Sequence, residues 1–148
     1  MATHTAEVEW SYKAHPQHPE TFDRDHTVIF ENGQSVAGSS APAYFGNPGT
    51  VNPETLLLAA LASCHMLTFL AIAAKFGFQV SRYRDKAEGT LAKNAEGRVA
   101  ISHCRLRPEI AFSGDKTPSQ EELRKMHQSA HRNCFIANSL NSQVEILD

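Results

Sequence analysis

The sequence predicts an α+β domain: antiparallel sheet built around one long, buried central helix. Three observations carry that prediction. Residues 55–74 contain no charged side chain. The runs on either side of this stretch read as strands. A second helix, with its own start signals, lies near the C-terminal end. The strand and helix order βββ-α-ββ-α-β is that of an α+β fold with antiparallel pairing.

Taken in order, residues 5–12 (TAEVEWSY), 26–31 (HTVIFE) and 34–38 (QSVAG) read as strands. Asn32 and Gly33 join the last two, and Asn-Gly is the strongest short hairpin signal. Residues 39–51 (SSAPAYFGNPGTV) are a loop punctuated by Pro and Gly. The long helix is expected over residues 52–76. Asn52 caps it, Pro53 suits its first position, and Glu54 meets the positive end of the dipole. Gly77 ends it. Residues 78–92 and 98–112 read as two strands around a turn at 94–97, with Val99, Ile101, His103 and Arg105 sharing one face by parity. The second helix is expected over residues 117–134, with Thr117 as cap, Pro118 first and Gln120 closing a capping box. Residues 142–147 form a last strand.

The bulk properties exclude several functions. At 148 residues the chain has the length of one domain, spanning 1–148. Its formal net charge is −2, and Lys and Arg are scattered, so nothing offers phosphate contacts to a nucleic acid or an anionic membrane. The first ten residues lack the basic start and apolar core of a signal peptide. The cysteines, Cys64, Cys104 and Cys134, are odd in number and far apart, unlike a secreted disulfide framework. Cytoplasmic thiols that do chemistry are the better expectation.

The long helix invites a membrane reading, since about 20 apolar residues span a bilayer. Against it, strands that need each other would be stranded on opposite sides. The flanks carry no aromatic belt or positive cluster, and His65 would sit mid-span at high cost. A helix apolar all round is otherwise one that is buried all round. At about 36 Å it is more than one small chain can cover. A second copy covers it, and Ala59, Ala60, Ala62 and Ser63 allow two such helices to approach closely. The expectation is a homodimer with no membrane partner.

Taken singly, the candidate chemical residues have plain alternatives. Cys64 and Cys134 are each either inert packing thiols or functional ones. Cys104, on a strand with no polar company, reads as structural. Glu54 serves as a first-turn dipole partner, and Arg24 and His26 as strand-end surface residues. His127, His131 and Cys134 fall at i, i+4 and i+7, and with Cys64 or His65 they could hold zinc. Lacking a second paired motif, ordinary histidines on a helix face are the plainer reading.

Two motifs together point further. The stretch NPETLLLAALASCHMLTFLA (residues 52–71) resembles the signature of the OsmC/Ohr family, with an Asn-Pro-Glu helix start and a Cys ten residues after the Glu. AHRNCFIANSL (residues 130–140) resembles that family's second cysteine segment. The element order matches along essentially the whole chain. This resemblance implies an intertwined homodimer with central helices sandwiched by sheets. It implies a thiol-dependent peroxidase that reduces organic hydroperoxides and is recycled by a dithiol such as a lipoyl group, without cofactor or metal. It also implies Cys64 as the peroxidatic thiol, Cys134 as the resolving thiol, and Glu54 as the carboxylate partner of a catalytic arginine. The family places that arginine upstream of Asn-Pro-Glu, where Arg24 is the one arginine before Arg82. The context of Arg24, DRDH, and His65 in place of an aromatic indicate an OsmC-like branch. Cys64 lies too deep in its helix to feel the N-terminal dipole, so a cation, Arg24, is expected to activate it. Glu54 and Cys64 are separated by about 15 Å of helix rise, so an Arg24–Glu54 pair serving Cys64 is expected from the other subunit. A metal-binding protein and a non-catalytic module for an apolar ligand are the alternatives.

Overall fold

A computed structural model describes residues 1–147. The chain forms two compact units, Met1–Leu56 and Leu57–Asp148.

In the first unit, β1 (Ala6–Glu9), β2 (His26–Phe30) and β3 (Ser35–Gly38) form one antiparallel sheet in the order β1-β2-β3. The Asn-Gly turn forms as expected, with Gly33 at φ 85° and Phe30 N–H donating to Gln34 O at 2.8 Å. β1 is shorter than the sequence suggests. Trp10 leaves the ladder because its indole N–H donates to Asp23 O at 2.9 Å, and its ring packs edge-on against Tyr12 and Phe22. In the following loop a Cβ on Gly46 would come within 1.6 Å of Ser40 O, so this close backbone approach requires glycine.

The long helix α1 (Pro53–Lys75) begins and ends as its sequence dictates. Asn52 Oδ1 accepts from Thr55 N–H at 2.9 Å, and Thr55 Oγ1 accepts from Asn52 N–H at 3.1 Å. Two orphan donors are thus satisfied reciprocally. At the other end Phe78 N–H reaches Ala73 O (2.9 Å) and Gly77 N–H reaches Ala74 O (3.1 Å). With Gly77 at φ 78° this is a Schellman stop. The helix is long and apolar enough by composition to cross a membrane. Within the single chain its burial is confined to one stripe at four-residue spacing: Leu61, His65, Phe69 and Ala73. Ala59, Ala60, Ser63, Leu67 and Ala71 remain exposed, Leu67 by 60%. The reason is the one the sequence states: a chain this small covers one face of such a helix and no more.

The second unit differs from expectation in its strand count. Each of the two long runs divides. The first gives β4 (Gln79–Asp85) and β5 (Glu88–Lys93); the second gives β6 (Val99–Leu106) and β7 (Pro108–Ser113). β4 pairs with β7, and β5-β6-β8 forms a separate sheet with β8 (Gln143–Ile146). The breaks let both hairpin arms pass from one sheet to the other, and Asp85 Oδ1 secures the crossing by accepting Arg107 N–H at 2.7 Å. Pro108 opens β7, the strand position a proline tolerates. β6 and β8 are parallel; the other pairings are antiparallel.

The expected shared face of Val99, Ile101, His103 and Arg105 is corrected by a bulge. Thr90 opposes His103 while Leu91 opposes Ile101, so Ser102 is the extra residue. Phase reverses there. Ile101, Cys104 and Leu106 pack in the core, whereas His103 and Arg105 both reach Glu145, at 3.2 and 3.4 Å.

The second helix starts two residues later than expected. α2 (Gln120–Asn133) is capped by Ser119, not Thr117. Ser119 Oγ accepts Glu122 N–H, and the Glu122 carboxylate accepts Ser119 N–H at 2.8 Å. The two possible boxes overlap, and the one with an ionised partner forms the stronger bonds. The helix also stops before Cys134, whose ψ of 112° is extended; α3 (Phe135–Asn138) restarts after it. Cys134 therefore does not continue the helical face of His127 and His131. Two core clusters fill this unit. One is built on Phe69, Ala73, Phe78, Met126 and Ala130. The other is built on Leu61, Cys104, Leu106 and Cys134, with Cys64 packed against it.

Candidate active site

Cys64 projects from the middle of α1, half-buried, toward the break between α2 and α3. Burial there opposes its ionisation. Against burial act, in falling order, the Ile136 N–H, the Cys134 thiol, the Phe135 N–H and the Thr68 hydroxyl, each favouring the thiolate. The donors prevail, and the thiol sits below its ordinary pKa. The two backbone donors exist because Cys134 caps α3. The first N–H groups of a helix have no intrahelical partner, and here two of them face Cys64.

Cys134 is fully buried. Burial raises its pKa first; the Ala137 N–H, 3.4 Å from its sulfur, opposes this, and the neighbouring Cys64 raises it further. Both thiols are free. Their environments push them apart: Cys64 ionises first, while Cys134 keeps its proton and donates it. A lowered-pKa thiol with some access to solvent is the reactive kind. A thiol donor beside it is placed to condense with whatever forms there. Cys104 is buried, and burial pushes its thiol up, consistent with a structural role.

A second polar group lies in the same unit. His65 and His127 are 1% and 3% exposed. Their Nε2 and Nδ1 atoms are 3.0 Å apart, and the His127 ring stacks on Phe69 at 4.5 Å. Burial, then His127 and His131, push the His65 pKa down to about 4. Among the described residues no three His, Cys, Asp or Glu side chains are arranged to hold a metal ion. His127 meets His65 through this hydrogen bond, an arrangement that the spacing of His127, His131 and Cys134 did not reveal.

Arg24 and Glu54 belong to the first unit. The Arg24 guanidinium lies 3.7 Å over the Phe22 ring. Its Nη1 donates to Thr21 Oγ1 at 2.9 Å and to Phe22 O. It borders an open hollow of about 550 Å³ whose walls include Trp10, Phe22, His26, Ser39 and Pro53. Glu54 Oε2 is buried with no hydrogen-bond partner, and among the described residues no ion pair joins Glu54 to Arg24. The single chain thus brings Cys64 and Cys134 together and leaves Arg24 and Glu54 unpaired with each other. Sequence reasoning missed the Phe135 and Ile136 amides, the Thr68 hydroxyl and the His65–His127 pair. A cap residue type at Cys134, followed by a new short helix, was not a recognisable signal.

Comparison with known proteins follows the same lines. The family model described as OsmC-like protein matches residues 46–147, a span that includes both cysteine segments. An OsmC-like protein of unknown function from Vibrio cholerae O1 biovar eltor str. N16961 is 39% identical, superposes with a TM-score of 0.93, and is covered over 99% of both chains. YmaD, an uncharacterized protein of Bacillus subtilis (strain 168), is 24% identical over 84% of this chain and 83% of its own. An organic hydroperoxide resistance protein from Elizabethkingia anophelis shares the fold at 17% identity, with a TM-score of 0.73 over 99% of this chain and 93% of that one. The cysteine-bearing segments, the helix between its Asn-Pro start and Gly77, and a near-complete match to the Vibrio cholerae protein place this chain in the OsmC-like family.

Proposed function

We propose that this protein is a thiol-dependent peroxidase that reduces organic hydroperoxides. The observation that carries the reading is the meeting of the Cys64 and Cys134 thiols, with Phe135 and Ile136 N–H groups on the Cys64 sulfur. Family relatives named for organic hydroperoxide resistance support it.

In this cycle the Cys64 thiolate attacks the terminal oxygen of the hydroperoxide. The O–O bond breaks, the alkoxide takes a proton and leaves as an alcohol, and Cys64 becomes a sulfenic acid. Cys134 then condenses with it: an S–S bond forms, and the sulfenic oxygen leaves as water with the Cys134 proton. A dithiol, of the lipoyl kind or another, restores both thiols by exchange and is itself oxidised to a disulfide. Phe135, 81% exposed beside Cys134, offers an apolar surface to an alkyl tail, which gains about 0.8 kcal/mol per buried methylene. Arg24 and Glu54 are proposed as a guanidinium–carboxylate pair that orients the peroxide. A homodimer formed through the exposed face of α1, in the cytoplasm, belongs to the same reading; a folded monomer at micromolar concentration would overturn that part of it.

One equivalent of cumene hydroperoxide should remove two of the three thiols, and a dithiol should return them. Arg24→Ala should slow that loss at least about tenfold with the fold intact, while Arg24→Lys recovers part of the rate, because a lysine keeps the charge and loses the planar fork. Retention of all three thiols in the parent protein would refute the peroxidase reading. An unchanged rate in Arg24→Ala would remove Arg24 from it.

A further inference from the structure

We propose that His15 is a positioning residue for Arg24: its imidazole closes the turn that carries Thr21 and Phe22, and its bond to the Phe45 carbonyl keeps the Phe45 ring over the Arg24 guanidinium. The proposal rests on the reading of Arg24 as a site residue and adds what holds that residue in place. All of these groups lie in the first unit.

Between β1 and β2 the chain makes a short excursion and returns. His15 N–H donates to Thr21 O at 2.9 Å and Asp23 N–H to Lys13 O at 2.8 Å, while Ala14 bridges Phe22. The side chain of His15 is buried at this excursion. Its Nδ1 accepts two backbone N–H groups, from Gln17 and His18, both at 3.1 Å. A ring nitrogen that accepts carries no proton, so the proton of this imidazole is on Nε2. Nε2 donates it to Phe45 O at 3.0 Å, 30 positions along the chain. Both nitrogens are therefore committed. Nδ1 closes the turn that leads to Thr21 and Phe22, and Nε2 fixes the loop that follows β3.

Phe45 shows what the second bond does. Its φ is 64°, and among the described residues it is the one residue other than glycine with a positive φ. A bulky side chain rarely adopts this conformation. The residue is 47% exposed, so burial does little to offset the strain. Strain of this kind persists where the surroundings over-determine the backbone, and it collects at functional sites. Here the surroundings are the His15 bond to its carbonyl and the rings of His15 and His18, edge-on at 6.1 and 5.2 Å. The strained residue in turn meets Arg24. The guanidinium carbon lies 5.2 Å from the Phe45 centroid and 3.7 Å from that of Phe22. Its Nη1 is committed to Thr21 Oγ1 and Phe22 O. The direction of the rest of the planar fork then follows from the two rings. With Phe45 released, one ring remains and the fork has more ways to point.

Two variants separate the bond to Phe45 from the turn. His15→Asn keeps an acceptor for the turn, since an Asn side chain bonds the N–H two residues on, and loses the reach to Phe45 O. His15→Gln keeps a donor that reaches Phe45 O and loses the acceptor of the turn. The first readout is the rate at which phenylglyoxal modifies Arg24, followed by mass on the peptide that carries it; it needs no peroxide. His15→Asn should raise this rate at least about fivefold, the scale of one lost cation–π contact, and His15→Gln should stay within about twofold of the parent. His15→Gln should nevertheless have the lower melting temperature. A merely structural role would make the rates follow the melting temperatures; that order overturns the proposal, as does an unchanged rate in His15→Asn. Should the His15 variants fold poorly, Phe45→Gly suits the backbone, removes the ring and carries the same expectation as His15→Asn. The second readout is cumene hydroperoxide consumption with a dithiol. His15→Asn should slow it about fivefold, yet cause no further loss in a chain that already carries Arg24→Ala. Additive losses overturn the proposal. A parent that consumes no hydroperoxide would remove the peroxidase reading, and the phenylglyoxal rates would still decide the role of His15.

Discussion

Cys64→Ser is expected to consume no organic hydroperoxide, a loss of at least about a thousandfold against a serine hydroxyl that stays protonated at neutral pH. The argument lies in the surroundings of the three sulfurs. Cys104 and Cys134 are both fully buried with raised pKa values; Cys64 is half-exposed with a lowered one. Cys134→Ser should behave differently. It keeps a donor beside Cys64, so one equivalent of peroxide should still react and leave a sulfenic acid that dimedone traps. The cycle should then stall under dithiol, or over-oxidise at high peroxide, because the protecting disulfide cannot form. Cys104→Ser should match the parent in both assays, apart from lost packing. Parental turnover of Cys134→Ser with dithiol would replace the two-cysteine scheme with direct reduction of the sulfenic acid. Peroxide consumption by Cys64→Ser would end the assignment altogether.

How much of this was legible in the sequence depends on distance along the chain. The start of α1 was readable because Asn52, Pro53 and Thr55 act on one another within one turn, and its end because Gly77 follows the last helical residues directly. The Ser119 cap was missed through a near tie: Thr117 with Gln120 and Ser119 with Glu122 both satisfy the capping pattern, and the charge on Glu122 decides between them. Pro108 was a visible sign that residues 98–112 could not be one strand, and the parity reading overrode it. The Ser102 bulge had no local sign at all, since it follows from pairing with β5. The family resemblance paired Cys64 with Cys134 across 70 positions, where no local pattern reaches. What it did not supply was the means of activation. The sequence argument sought a cation, because Cys64 sits far from its own helix start. Backbone N–H groups from a different helix start, that of α3, lower the pKa of this thiol within the single chain, a source that the search for a cation did not consider.

The His65–His127 pair predicts how the fold responds to acid. His65 is 1% exposed and shares a hydrogen bond of 3.0 Å with His127. Its neighbours in the fold are His127 and His131 from α2, and Phe69 on its own helix, whose ring also touches Tyr83 of β4. Among the described residues no carboxylate contributes to its titration, so a proton placed there has two other imidazoles for company. Its pKa is accordingly held near 4 in the fold, against 6.5 in the unfolded chain. The neutral form therefore contributes stability that is complete above about pH 6.5 and is lost as pH falls through about 4. That gap corresponds to about 3 kcal/mol, a large share of the roughly 5–15 kcal/mol that holds a domain folded. Between pH 6 and pH 4 the unfolding free energy from this one residue should fall by about 2 kcal/mol, most steeply near pH 5, where the slope approaches one proton. Urea unfolding across that range, at constant protein concentration, reads it directly. His65→Gln can still hydrogen-bond His127 and takes up no proton in this range. It should be less stable than the parent at pH 7, by about 1–2 kcal/mol for an imperfect buried bond, yet should lose less on acidification, by close to one proton in the slope. Parallel curves for parent and variant would mean that the acid sensitivity of this protein lies elsewhere than in His65.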